Sequence, residues 1–114
     1  MDKLEMMSGI LNSYPYPIVF VDNEYIIRYM NKNARYFYCE ERGYDDLIGK
    51  SIFDCHKPES VERIKTCYEE IKRNGKEIFI GVSVRNQRIY MQGVRNDKGE
   101  WIGFFERFEL NITK

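Results

Sequence analysis

Residues 58–84 read PESVERIKTCYEEIKRNGKEIFIGVSV, and within them a helical period gives way to a strand period. Val61, Ile64, Tyr68 and Ile71 form one apolar stripe with Cys67 beside it, which predicts a helix from Pro58 to Asn74. Pro58 suits the first helical position, because its missing N–H would have no partner there anyway. Glu59 and Glu62 lie near the positive N-terminal end, and Lys72 and Arg73 near the negative C-terminal end. Gly75 can take the left-handed conformation that closes a helix. Glu59 and Glu69 each have an arginine four residues on (Arg63, Arg73), so two ion pairs are expected on the solvent side. Past the glycine, Ile78, Ile80, Val82 and Val84 alternate, which predicts a strand.

Working outward, a turn near Asn86-Gln87 leads into a strand from Arg88 to Arg95. Asn96-Asp97-Lys98-Gly99 is a strong turn signal before a last strand, Glu100 to Leu110. Upstream, Leu4, Met7, Ile10 and Leu11 sit at helical spacing within Asp2–Leu11, and the breaker Tyr14-Pro15-Tyr16-Pro17 follows. Ile18 to Val21 and Tyr25 to Met30 read as a hairpin around Asp22-Asn23-Glu24. Asn31 is placed to cap a short helix carrying Ala34, Phe37 and Tyr38. Residues 40–57 read as short turns around Gly43 and Gly49. The order predicts an α+β fold: a five-stranded antiparallel sheet, short helices, and one longer helix packed on one face. It divides into an N-terminal amphipathic helix, residues 1–13, and a domain over 14–114.

The chain has 114 residues, a single-domain length. Eighteen basic residues balance eighteen acidic ones, which argues against nucleic-acid binding through overall charge. Its 43% hydrophobic and 32% charged content is that of a globular chain. No apolar run approaches the roughly 20 residues of a spanning helix, and the N-terminus lacks the pattern of a secretory signal, so no membrane association is expected. Cys39, Cys55 and Cys67 are odd in number and lack CxxC spacing; reduced thiols in a cytoplasmic protein are expected. Aromatic residues reach 15%, enough to build a core or line an apolar pocket.

Gly43-Tyr44-Asp45-Asp46-Leu47-Ile48-Gly49-Lys50-Ser51-Ile52-Phe53-Asp54 resembles the "GY…ELIGKS…D" segment of PAS domains, the sensory and dimerisation modules of signalling proteins. Ile27, Tyr29, Asn31 and Ala34 resemble the family's "I-x-Y-x-N-x-x-A". His56-Lys57-Pro58-Glu59-Ser60 resembles its "H-P-E-D" with one extra residue, and Asn96–Gly99 followed by Trp101-Ile102-Gly103 its last hairpin. The usual "D-x-D-G" turn is here Asp22-Asn23-Glu24 without the glycine, and Cys39-Glu40-Glu41-Arg42 is longer than usual. The resemblance implies the PAS fold and a non-catalytic sensor. Such a module binds a small ligand or a signalling partner protein and transmits the change through its terminal segments. A homodimer through the N-terminal helix is expected.

His56 is the single histidine. It either organises the start of the long helix or, in a haem-based redox or gas sensor, would be the axial ligand. In the flavin-binding light sensors, Ile52 stands where the reactive cysteine of "N-C-R-F-L-Q" would be, so a flavin–cysteine adduct is not expected. Cys55 beside His56 cannot complete a zinc site. The pocket candidates are Phe20, Tyr29, Phe37, Ile52, Ile64, Tyr68, Ile80, Val82, Met91 and Phe105. These side chains, with Trp101 and Phe104, could equally fill the space between helix and sheet and leave a ligand-free dimerisation adaptor. Arg28, Arg88 or Arg95 could hold an anion, though strand arginines are usually solvated. Enzyme signatures are lacking: Gly49-Lys50-Ser51 ends like a phosphate-binding loop, but Tyr44 stands where its first glycine belongs.

Overall fold

The structure, a computed structural model, describes residues 1–44, 46–55 and 57–111, without the side chain of Cys55. Five antiparallel strands form one sheet in the order β2-β1-β5-β4-β3. They are β1 (Ile18–Asp22), β2 (Ile27–Met30), β3 (Ile78–Val82), β4 (Gln87–Arg95) and β5 (Trp101–Leu110). The helices are α1 (Lys3–Ser13), α2 (Lys32–Arg35) and α3 (Pro58–Asn74). Between α2 and α3 lie a π-helical turn, Tyr36–Glu41, and a 3-10 turn, Ile52–Cys55. The first and last strand pairs meet because β5 joins both β1 and β4.

Strand alternation sorts the side chains onto two faces. Val19 of β1, Glu106 of β5 and Met91 of β4 stand opposite one another on the face that α3 covers, and all three are buried. Phe104 and Phe108 share that face, under Ile64, Cys67, Tyr68 and Ile71 of α3. Of the helical stripe read from the sequence, Ile64, Tyr68 and Ile71 are buried with Cys67 beside them, and Val61 is half-buried. Ile71 of α3 packs directly on the sheet at Gly93. A methyl group there would overlap the Trp101 ring and come within 2.7 Å of Ile71 Cγ2, so the contact admits only glycine.

Several boundaries differ from the periodic reading, each for a local reason. β2 begins at Ile27, because Tyr25 turns the chain with a left-handed φ of 63°. Tyr25 stands where a glycine would be usual, and its conformation costs about 1 kcal/mol. Its ring packs on Phe53, Tyr68 and Phe104, which offsets that cost. Asp22 builds the turn with its side chain, accepting from the Glu24 and Ile26 amides and from Arg28. β3 ends at Val82; Ser83 and Gln87 close the hairpin and leave Val84 exposed. A bulge at Ile80 also interrupts the expected alternation.

The two ion pairs expected along α3 do not form. Glu69 pairs with Lys72 at 2.8 Å, and Arg63 donates to the Ile80 carbonyl at 3.1 Å. An exposed pair is worth little, whereas a carbonyl at the β3 bulge offers Arg63 an acceptor.

The stretch around Gly49 flanks the sheet edge. Ile27 donates to the Lys50 carbonyl and accepts from Gly49, and Ile52 donates to Tyr25.

Candidate functional site

A cavity of about 310 Å³ opens between α3, the sheet and the segment from Phe37 to Tyr44. α3 contributes Ser60, Arg63, Ile64 and Cys67; the sheet contributes Ile80, Val82, Ile89, Met91, Glu106 and Phe108. Tight contact at Gly93 closes the gap under the C-terminal half of α3, so the space lies under its N-terminal half.

The third wall follows from the π-helical turn. Asn31 starts α2 by accepting from the Ala34 amide, and the helix then widens so that Arg42 donates to the Phe37 carbonyl, five residues back. The segment that is longer than usual in the sequence is absorbed here. Phe37, Tyr38 and Tyr44 line the cavity, Phe37 meeting Phe108 at 5.8 Å between ring centroids. Arg42 lies over the Phe37 and Tyr44 rings at 5.9 and 5.5 Å.

Glu106 is the polar group deepest in this wall. It is 6% exposed, flanked by the apolar Val19 and Met91, and accepts no hydrogen bond from the described residues. Burial pushes its carboxyl up to about 7. Burial also raises the Cys67 thiol; Arg63 opposes this, while Glu70 and Glu106 add to it.

Of the pocket candidates, Phe37, Ile64, Ile80, Val82 and Met91 line the cavity. Ile52 lines a second space of only about 20 Å³, with Val19, Ile27, Met30, Tyr38, Leu47 and Glu106. Tyr68 lies elsewhere, packed on Phe104, its hydroxyl donating to Asn23 at 2.5 Å. Phe20, Tyr29 and Phe105 do not reach the cavity: they stand opposite one another on the other sheet face, because Val19 and Glu106 take the inward positions. His56 lies outside the described residues. Trp101 packs against Gly93 and under Arg95, at 4.0 Å from the guanidinium to the ring centre. Arg28 pairs with Asp22, and Arg88 donates to Asn111.

The sequence reading missed Tyr38, Arg42, Tyr44, Arg63, Cys67, Glu106 and Phe108 as one lining. Glu106 carried a signal: in Phe104-Phe105-Glu106-Arg107-Phe108, an acid takes an inward position between two buried aromatic residues.

The sequence profile of the PAS domain family matches residues 7–112. The chain belongs to the PAS domain family. Solved structures agree on the fold. A PAS domain from Colwellia psychrerythraea is 17% identical, with a TM-score of 0.70, covering 95% of this chain and 96% of that one. A sensory box sensor histidine kinase from Vibrio cholerae is 18% identical, with a TM-score of 0.63, covering 93% and 89%. The Aer2 receptor of Vibrio cholerae, described as a dual PAS-heme oxygen sensor, is 23% identical, with a TM-score of 0.61, covering 86% and 95%. No curated protein matches the chain. Domains of this family are generally non-catalytic sensory modules and commonly dimerise or bind partners. No described helix is long and apolar enough to cross a membrane.

The described wall of the cavity offers Tyr38 and Tyr44, residues of a type that can ligate haem iron, beside a thiol that is poorly suited to it. That thiol, Cys67, has its pKa raised by burial, so it stays protonated near neutral pH and is a poor ligand to iron. The lining also carries Ser60, Arg63, Ser83 and the Glu106 carboxyl.

Proposed function

We propose that this PAS domain is the sensing unit of a cytoplasmic signalling protein, and that its cavity takes a small ligand. One observation carries this: about 310 Å³ of space, walled mainly by aromatic and aliphatic side chains, with Arg42 and Arg63 at exposed positions and one buried carboxyl among the described residues. Ligand sites have this composition, an apolar lining with a few placed polar groups. The mechanism is a population shift. A ligand that touches both α3 and the sheet favours one of their relative arrangements, and the terminal segments pass it on. α1 fits the output role, since none of its residues is buried and Asn31 ties its last turn to the domain through the Leu11 carbonyl. A second copy of the chain is the occupant assigned to the apolar face of α1.

Native mass spectrometry of freshly purified protein, with an absorbance spectrum and a thermal-shift screen of small molecules, tests the pocket. The expected result is a bound mass, or a ligand that raises the melting temperature and fails to do so in Ile64→Trp, whose larger ring fills the cavity. A bare mass with no stabilising compound overturns it in favour of a ligand-free adaptor.

A further inference from the structure

Glu106 is a carboxyl with no described partner, buried in the middle of a sheet. A buried acid without a donor is costly. The charged and titratable groups around it are few. From α3 come Arg63 and Cys67; from the segment before α3 come Tyr38, Arg42 and Tyr44; its strand neighbours Val19 and Met91 carry none. No cation within the described residues pairs with Glu106. Arg63 is exposed and bonded to Ile80, and Arg42 is exposed and stacked on Phe37 and Tyr44. Those contacts of Arg42 also show what the aromatic wall does: its ring faces attract a positive charge. The cavity therefore combines a carboxyl without a partner among the described residues with aromatic rings of a kind that attracts cations.

Given that the cavity is a ligand pocket, we propose that its ligand is a small organic amine, its ammonium group held by Glu106 and its apolar body by Phe37, Tyr38, Met91 and Phe108. The ammonium N–H groups donate to the carboxylate oxygens, a charge-assisted bond stronger than a neutral one. Burial keeps much of the Glu106 carboxyl protonated near neutral pH, so binding transfers that proton to solvent. Amine affinity then rises with pH as the carboxyl ionises, until the amine itself loses its charge near the lysine range, about 10.

The probes are n-hexylamine, hexanoate and 1-hexanol, three ligands of one shape with different charge. They are titrated into the full chain by ¹H–¹⁵N NMR and by calorimetry in two buffers of different ionisation enthalpy. Hexylamine is expected to bind at least about tenfold tighter than the other two at pH 8. Its affinity is expected to fall about tenfold at pH 6, with proton release visible in calorimetry. Glu106→Gln, which keeps the shape of the protonated acid, is expected to lose the amine preference while still binding hexanol. If hexanoate or hexanol binds as tightly as hexylamine, or if Glu106→Gln leaves the preference intact, the amine assignment fails and the pocket stands. If none of the three binds at millimolar concentration, the amine assignment fails, and the pocket falls with it only if the purified protein also shows a bare mass and no stabilising compound.

Discussion

Asn31 is fully buried, and its amide makes four hydrogen bonds. Its oxygen accepts from the amides of Ile18 and Ala34, and its nitrogen donates to the carbonyls of Leu11 and Tyr16. One side chain thereby joins the end of α1, the breaker before β1, β1 itself and the start of α2. Removing it leaves buried backbone groups without partners, each costing about 1–3 kcal/mol. Asn31→Ala is expected to lose roughly 3 kcal/mol or more of stability in urea unfolding. Asn31→Asp keeps the two acceptances but turns an oxygen toward two carbonyls, so it too is expected to be destabilised. A loss below about 0.5 kcal/mol in both would show that the junction is held by packing instead.

At the scale of elements, α1 stands apart from the rest. Asp2 caps it by accepting from the Glu5 amide, yet it buries nothing, and Leu4 and Ile10 are 76% and 65% exposed. Helices in water draw most of their stability from packing an apolar face, so this face suits a second copy. Leu4→Glu with Met7→Glu and Ile10→Glu is expected to convert a dimer to a monomer in light scattering. Deleting residues 1–12 is a poorer test, because it removes the Leu11 carbonyl that Asn31 binds and the Asn12 side chain that accepts from Lys32. A wild-type chain that stays monomeric at every concentration would refute the proposed contact.

Across the whole molecule, the buried carboxyl sets a pH dependence. Glu106 titrates at about 7 in the folded chain against an ordinary value of 4.5, so the native state binds its proton more tightly than the unfolded state. Stability from this group is therefore full at low pH and declines as pH rises from about 4.5 through 7. The total is on the order of 3 kcal/mol. Urea unfolding of the wild type and of Glu106→Gln at pH 5 and pH 8 isolates it, since all other groups cancel. The wild type is expected to lose stability relative to the variant at pH 8; equal slopes would place the carboxyl in contact with water or a donor.

The periodicity of α3, the cap at Asn31, the closing glycine at position 75 and the Asn96–Gly99 turn are local properties. Each depends on residues within a few positions of one another, so the chain alone determined the element order, the α+β class and the helix face that is buried. The split of the aromatic residues was a matter of register. Phe20, Tyr29 and Phe105 look like pocket residues by type, but a strand places neighbours on opposite faces, and pairing of β1 with β5 put Val19 and Glu106 inward. The cavity needed still more. It exists because α3 meets the sheet tightly at Gly93 while the π-helical turn of residues 36–41 carries Phe37 and Tyr38 to the other end. No spacing within a single element encodes that gap; it is the difference between the positions of three elements, which only tertiary packing decides.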